Sequence, residues 1–282
     1  MIVKRNPLKF RRRTLFQNTM PDALIPNQTR PSLMHGVSGA ACEALGIANL
    51  RHKSALLGLK VPDGLDLAGA VQKAVAANWD QGGAAANRDR SRQNWRWTLQ
   101  PQIGSANRSP EVMLERAIAR ACADANRSDW ANQIPVASGL IAGASDGRRA
   151  IDLAQRVGQG AYQLIELKIA SDTPLYAAVE LLGYASIWLL ARKDPPNPAP
   201  ELLLADRIEL RVLAPAAFYQ RFDLAALEQA LDASAQTLGR QEGVILSFGF
   251  DVLPETLNPA CLPSGAEVLA ELANRGPLHG TV

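Results

Sequence analysis

An α/β fold is predicted, with a core order α-β-β-β-α-β followed by a further α-β. Three features of the sequence predict it. Ser109-Pro110-Glu111 is a helix-start signal: an N-cap hydroxyl, a proline at the first helical position and an acid in the first turn. AIDLAQRVGQGAYQLIELKI has the form of a β-hairpin, two strand-like runs around a Gly158-Gln159-Gly160 turn. Asp172-Thr173-Pro174 then opens a long apolar helix, which DPPNPAP stops near Arg192.

In chain order, the first core helix continues from Ser109 through VMLERAIARACADA. A short apolar run from Ile134 to Ile141 is read as the first strand, and ASDGRR as the turn after it. The hairpin strands are placed at about Ala150–Ala154 and Tyr162–Ile169, before the helix of 174–192. A strand at Arg207–Leu213, a helix at Leu224–Gly239 and a strand at Val244–Phe250 complete the series. The core is assigned to 109–254, a basic, mostly helical or irregular and partly disordered extension to 1–108, and a C-terminal tail to 255–282.

Composition excludes several classes. Of 282 residues, 47% are hydrophobic and 20% charged, so the chain can bury a core without staples. Cys42, Cys122 and Cys261 form no CxxC pair, and His35, His52 and His279 have no zinc-like spacing. A reducing cytoplasm is the expected compartment. The basic N-terminus lacks the apolar stretch of a secretory signal. The 17 residues Leu175–Ala191 are at the short limit for a membrane span and contain Glu180, so a buried core helix is expected and no membrane partner.

Charge is unevenly distributed. Residues 1–108 hold 16 Lys/Arg against 6 Asp/Glu, a net of +10, whereas 109–282 hold 14 against 21, a net of −7. A basic arm on an acidic body suggests an anionic partner. Arg88, Arg90, Arg92 and Arg96, interleaved with Trp95 and Trp97, are candidates for gripping phosphates and stacking bases. The competing reading docks the two tryptophans on the core.

The hairpin carries the chemistry. With a symmetric three-residue turn, Val157 pairs with Ala161 and Asp152 falls opposite Glu166. Directly opposed carboxylates repel, and a hard divalent cation between them removes the repulsion. Strand periodicity puts Lys168 on the face of Glu166, one step from both acids. Glu111 and Glu115 share a helix face, and Glu115 is the better third ligand because it lies in the apolar stretch LERAI. Tyr176, Glu180 and Tyr184 recur at i, i+4 and i+8 on the second helix and border the site. Taken alone, Glu-x-Lys on a strand describes an exposed ion-pair face.

The motifs SPEVMLERAI, AID, QLIELK and LYAAVELLGYASIWLL, in this order over about residues 109–215, resemble the PD-(D/E)XK nuclease superfamily. The 14-residue spacing from Asp152 to Glu166 is typical of that family. The resemblance implies a restriction-endonuclease-like core with a central mixed sheet. It implies Asp152 and Glu166 as ligands of Mg²⁺ or Mn²⁺, Lys168 as a catalytic residue and Glu115 as the helical acid. It also implies hydrolysis of phosphodiester bonds in nucleic acid, DNA first, with self-association or a partner subunit compatible. Two departures stand out: no proline precedes Asp152, and Glu180 holds the place where glutamine often faces the site. A non-catalytic nuclease-like subunit of a larger assembly is the alternative expectation.

Overall fold

The computed structural model describes residues 32–81, 94–104, 106–136 and 149–279. It is an α/β fold around one mixed sheet. Before the sheet come α1 (Val37–Leu45), α2 (Lys53–Leu56), α3 (Leu67–Gln81) and α4 (Pro110–Asp124). Then follow β1 (Trp130–Pro135), β2 (Ala150–Gly158), β3 (Ala161–Leu167), α5 (Pro174–Lys193) and β4 (Arg207–Pro215). The chain closes with α6 (Ala216–Tyr219), α7 (Ala225–Glu242), β5 (Ile245–Leu253), α8 (Gly265–Ala273) and β6 (Gly276–Pro277).

The strands lie in sequence order across the sheet. β1, β2 and β3 form an antiparallel meander, β3, β4 and β5 run parallel, and the two-residue β6 is antiparallel to β5. Parallel neighbours need crossovers, which α5 and α7 supply. Both core helix starts are capped as their sequences require: Ser109 accepts from the Val112 amide and Thr173 from the Tyr176 amide, each before a proline.

Alternation along the strands separates two apolar layers. Leu164 and Leu210 face a large core shared with α1, α3, α5 and α7, while Ile165, Leu167 and Leu213 face a smaller one shared with α4 and α8. Helix α5 is apolar around its circumference and lies almost wholly inside the large core.

Three expectations change. β1 begins at Trp130 rather than Ile134, because Asn132 and Gln133 interrupt the apolar pattern of a real strand; the expected continuation to Ile141 and most of the ASDGRR turn lie outside the described residues. The hairpin turn is tighter: Gly158 pairs with Ala161, Val157 is bulged out, and Gly160 adopts the left-handed conformation (φ 64°). No break in packing occurs at residue 108. Val37, Leu67 and Val71 are buried in the same core as α5 and α7, and residues 255–279 add α8 and β6.

Candidate active site

The sheet opens between β2 and β3 at the acidic end of the hairpin. The ladder's last pair there is Leu153↔Ile165. Ile151 and Leu153 lie two residues apart yet belong to different apolar cores, so the regular strand period breaks at Asp152. The partner strand breaks in the same place. Gln133, opposite Asp152 in the register, has a left-handed backbone (φ 48°), which costs on the order of 1–3 kcal/mol in a non-glycine residue. Asp152 is thereby turned into the gap. Its Oδ2 accepts from the Leu167 amide at 3.0 Å. The register runs toward Asp152 opposite Glu166, as expected, but the ladder stops one pair short and the Asp152 carboxylate reaches across to the Leu167 amide.

Four ionisable groups crowd this opening. Glu166 is 4% exposed, Lys168 8% and Glu115 2%, so the reading of an exposed ion-pair face is excluded. Lys168 Nζ donates to Glu166 Oε1 at 2.6 Å and lies 3.6 Å from Glu180 Oε2. Glu180 Oε1 in turn accepts from Arg149 Nη1 at 3.0 Å and from the Tyr184 hydroxyl at 3.1 Å. A lysine head group is thus clamped between two acids, one on the strand and one on α5.

The electrostatics are those of carboxylates starved of water. Burial and the Asp152 charge hold the Glu166 pKa well above the usual range. Burial lifts Asp152 to about 6 against the pull of Lys168 and the Leu167 amide. Glu115 is pushed up to about 8, by burial and then by Asp152, although Asn132 and Gln133 donate to it at 2.9 and 3.1 Å. Burial disfavours the Lys168 ammonium, but Glu166, Glu180 and Asp152 outweigh it and raise its pKa.

The two helical acids occupy different places. Glu115 lies beside Asp152, whereas Glu111 caps the chain after β3, accepting from the Ile169, Ala170 and Ser171 amides and the Ser171 hydroxyl. Sequence reasoning missed Asn132 and Gln133, which hold Glu115 in place. Their signal was two polar residues inside an apolar strand. It also missed Arg149 as the partner of Glu180.

Asp152, Glu166 and Glu115 offer only hard oxygen donors, the set that Mg²⁺ and Mn²⁺ prefer. Glu166 Oε2 is buried with no hydrogen-bond partner among the described residues, a costly state that a cation would relieve. No three such side chains among the described residues are already gathered closely enough to hold an ion. The donors fit in kind, and each is at present tied to a protein neighbour.

A pH dependence follows from these shifts. The folded Glu115 keeps its proton to about pH 8, whereas an unfolded glutamate loses it near 4.5. The folded state therefore binds more protons across that window, and its stability falls as pH rises through it. The metal-free protein is expected to be more stable at pH 5 than at pH 8.5, with Glu115 contributing up to roughly 5 kcal/mol to the difference. Denaturant midpoints across that range, for the parent and Glu115→Gln, check this. The variant should show a flatter profile, and two equally steep profiles would contradict it.

The Arg-Trp stretch is partly visible. Arg88, Arg90 and Arg92 lie outside the described residues. Trp95 is buried, its amide donating to Pro135 O at 2.8 Å, and Trp97 meets Tyr162 edge to face at 5.1 Å. The tryptophans thus dock on the core beside β1. Arg96 is half-buried.

Comparison of the chain with protein-family models, with curated proteins and with solved structures gave no match.

Proposed function

We propose that the protein is a metal-dependent nuclease with a restriction-endonuclease-like core, acting on phosphodiester bonds of nucleic acid, with DNA the first substrate to test. One observation carries the reading: Lys168, Glu166 and Glu115 are buried where β2 and β3 separate, with Asp152 and Glu180 half-buried beside them, and one carboxylate oxygen of Glu166 is unpartnered. Stability alone gives no reason to retain that arrangement, since an apolar replacement is often neutral or better. The resemblance of AID and QLIELK to the nuclease motifs supports the same assignment.

Asp152, Glu166 and Glu115 would hold the cation, which supplies Lewis-acid stabilisation and an activated water when bound. Lys168, fixed between Glu166 and Glu180, places a positive charge where charge builds on the attacked phosphate. Glu180 keeps it there, braced by Arg149 and Tyr184.

Incubating the protein with supercoiled, linear and single-stranded DNA and with RNA tests this and defines the substrate. Cleavage of at least one, dependent on Mg²⁺ or Mn²⁺, is expected. Tight nucleic-acid binding without cleavage would favour the non-catalytic assembly subunit instead.

The basic N-terminal region is proposed to supply much of the affinity. Each phosphate contact releases counterions, giving a log–log salt slope of about −0.9 per contact on duplex DNA. Changing Arg88, Arg90, Arg92 and Arg96 to Ala is expected to weaken binding and flatten the slope. A lowered melting temperature with an unaltered slope would make this stretch a packing strap only.

A further inference from the structure

A second polar site lies on the sheet face that α4 and α8 leave uncovered, away from the acidic opening. Along β3, β4 and β5, that face carries Gln163, Glu209, Arg211, Gly249 and Asp251. All of these but Glu209 border, with α7 and β6, a cavity of about 990 Å³, within the size of small-molecule sites.

Most of its charges are already occupied. β6 is only two residues long, so the edge of β5 keeps free amides; Glu228 Oε1 accepts from the Phe250 amide at 2.7 Å and Asp232 Oδ1 from the Phe248 amide at 2.8 Å. His279 lies against the other Glu228 oxygen at 2.6 Å. Arg275 gives its donors to Leu272 O, Gln155 Oε1 and Gln163 Oε1 at 2.9, 2.6 and 2.8 Å.

Two groups are left over. Asp251 is 8% exposed and borders the cavity, yet among the described residues no hydrogen bond and no ion pair within 4 Å engages its carboxylate. Arg211 donates one bond, from Nη2 to Glu209 Oε2 at 3.2 Å, and the rest of its guanidinium has no acceptor among the described residues. It lies across Gly249, where a Cβ would stand 2.3 Å from Nη1; the glycine is what admits it. A buried carboxylate left without a partner is expensive. Burial accordingly raises the Asp251 pKa, with Arg211 and Arg275 only moderating it.

We propose that this cavity binds a small zwitterion of the amino-acid type, its ammonium on Asp251 and its carboxylate on Arg211. An acceptor and a donor fork side by side match a ligand with both charges. Glu228, Asp232 and Asp251 outnumber Arg211 and Arg275 around the cavity, which disfavours phosphates and dianions. Ala225, Ala226, Ala273 and Pro277 leave a small apolar wall for a side chain.

The test uses the full chain, with pooled L-amino acids as probes in saturation-transfer NMR and thermal-shift measurements. Butylamine and propionate, which carry only one of the two charges, serve as controls. At least one amino acid is expected to bind and raise the melting temperature, and the controls are not. Asp251→Asn and Arg211→Gln should each weaken binding by about tenfold or more, as for loss of a charged hydrogen bond. Asp152→Asn should leave it unchanged, which separates this site from the nuclease reading. Should Asp251→Asn fail to fold, Arg211→Gln decides alone. No binding by any pooled amino acid, equal binding of the single-charge controls, or parental affinity in a folded variant would overturn the proposal.

Discussion

Lys168→Ala is expected to slow phosphodiester cleavage by about 10²–10³-fold, the usual consequence of removing one preorganised electrostatic group. The ammonium is held at 2.6 Å from Glu166 and 3.6 Å from Glu180, so it arrives at the site already oriented. Its removal has a structural cost as well. Breaking a buried pair by deleting one partner costs about 3–5 kcal/mol. Glu166 limits that loss by taking up a proton, because its affinity for one is already raised by burial and by Asp152. The variant should therefore fold better at pH 5.5 than at pH 8. Circular dichroism and Mn²⁺ binding on the same sample separate lost chemistry from lost fold. A folded Lys168→Ala that cuts at the parental rate would reduce the lysine to a counter-ion for Glu166.

Asp152→Ala is expected to abolish Mn²⁺ binding and, with it, cleavage. Asp152 is the acid that the broken strand period turns into the gap, and it raises the proton affinity of both Glu115 and Glu166. With Glu115 protonated to about pH 8 and Asp152 to about pH 6, a cation must displace protons on entering. Affinity should rise with pH, and the calorimetric heat should vary with the ionisation enthalpy of the buffer. The Leu167 amide loses its acceptor in the variant, a cost of about 1–3 kcal/mol if water does not replace it. Unchanged Mn²⁺ affinity in Asp152→Ala would remove the metal-site argument.

Local signals in the sequence carried most of the fold. Ser109-Pro110 and Thr173-Pro174 mark their helix starts because capping chemistry is confined to a few adjacent residues. The element order follows from such local signals. What packs across the sheet does not. Nothing near Val37 or Val71 in the chain announces that they share a core with α5. At the site, strict alternation brought Asp152, Glu166 and Lys168 to one region and missed how they meet. The bulge at Val157 tightens the turn without moving Asp152 from its place along the strand, and the left-handed Gln133 breaks the strand beside it; neither irregularity has a signal in local alternation. Alternation likewise could not show that Lys168 is buried rather than exposed, nor that Arg149 would brace Glu180.

This cluster is expected to cleave nucleic acid with a divalent cation. Its most direct test is nicking of supercoiled plasmid by the parent and by Asp152→Asn, with Mg²⁺, with Mn²⁺ and with a chelator. The parent should nick the plasmid with either cation and not with the chelator, and the folded variant should not nick it at all. Nicking that persists in the chelator or in Asp152→Asn would contradict this expectation, as would an intact plasmid in every lane.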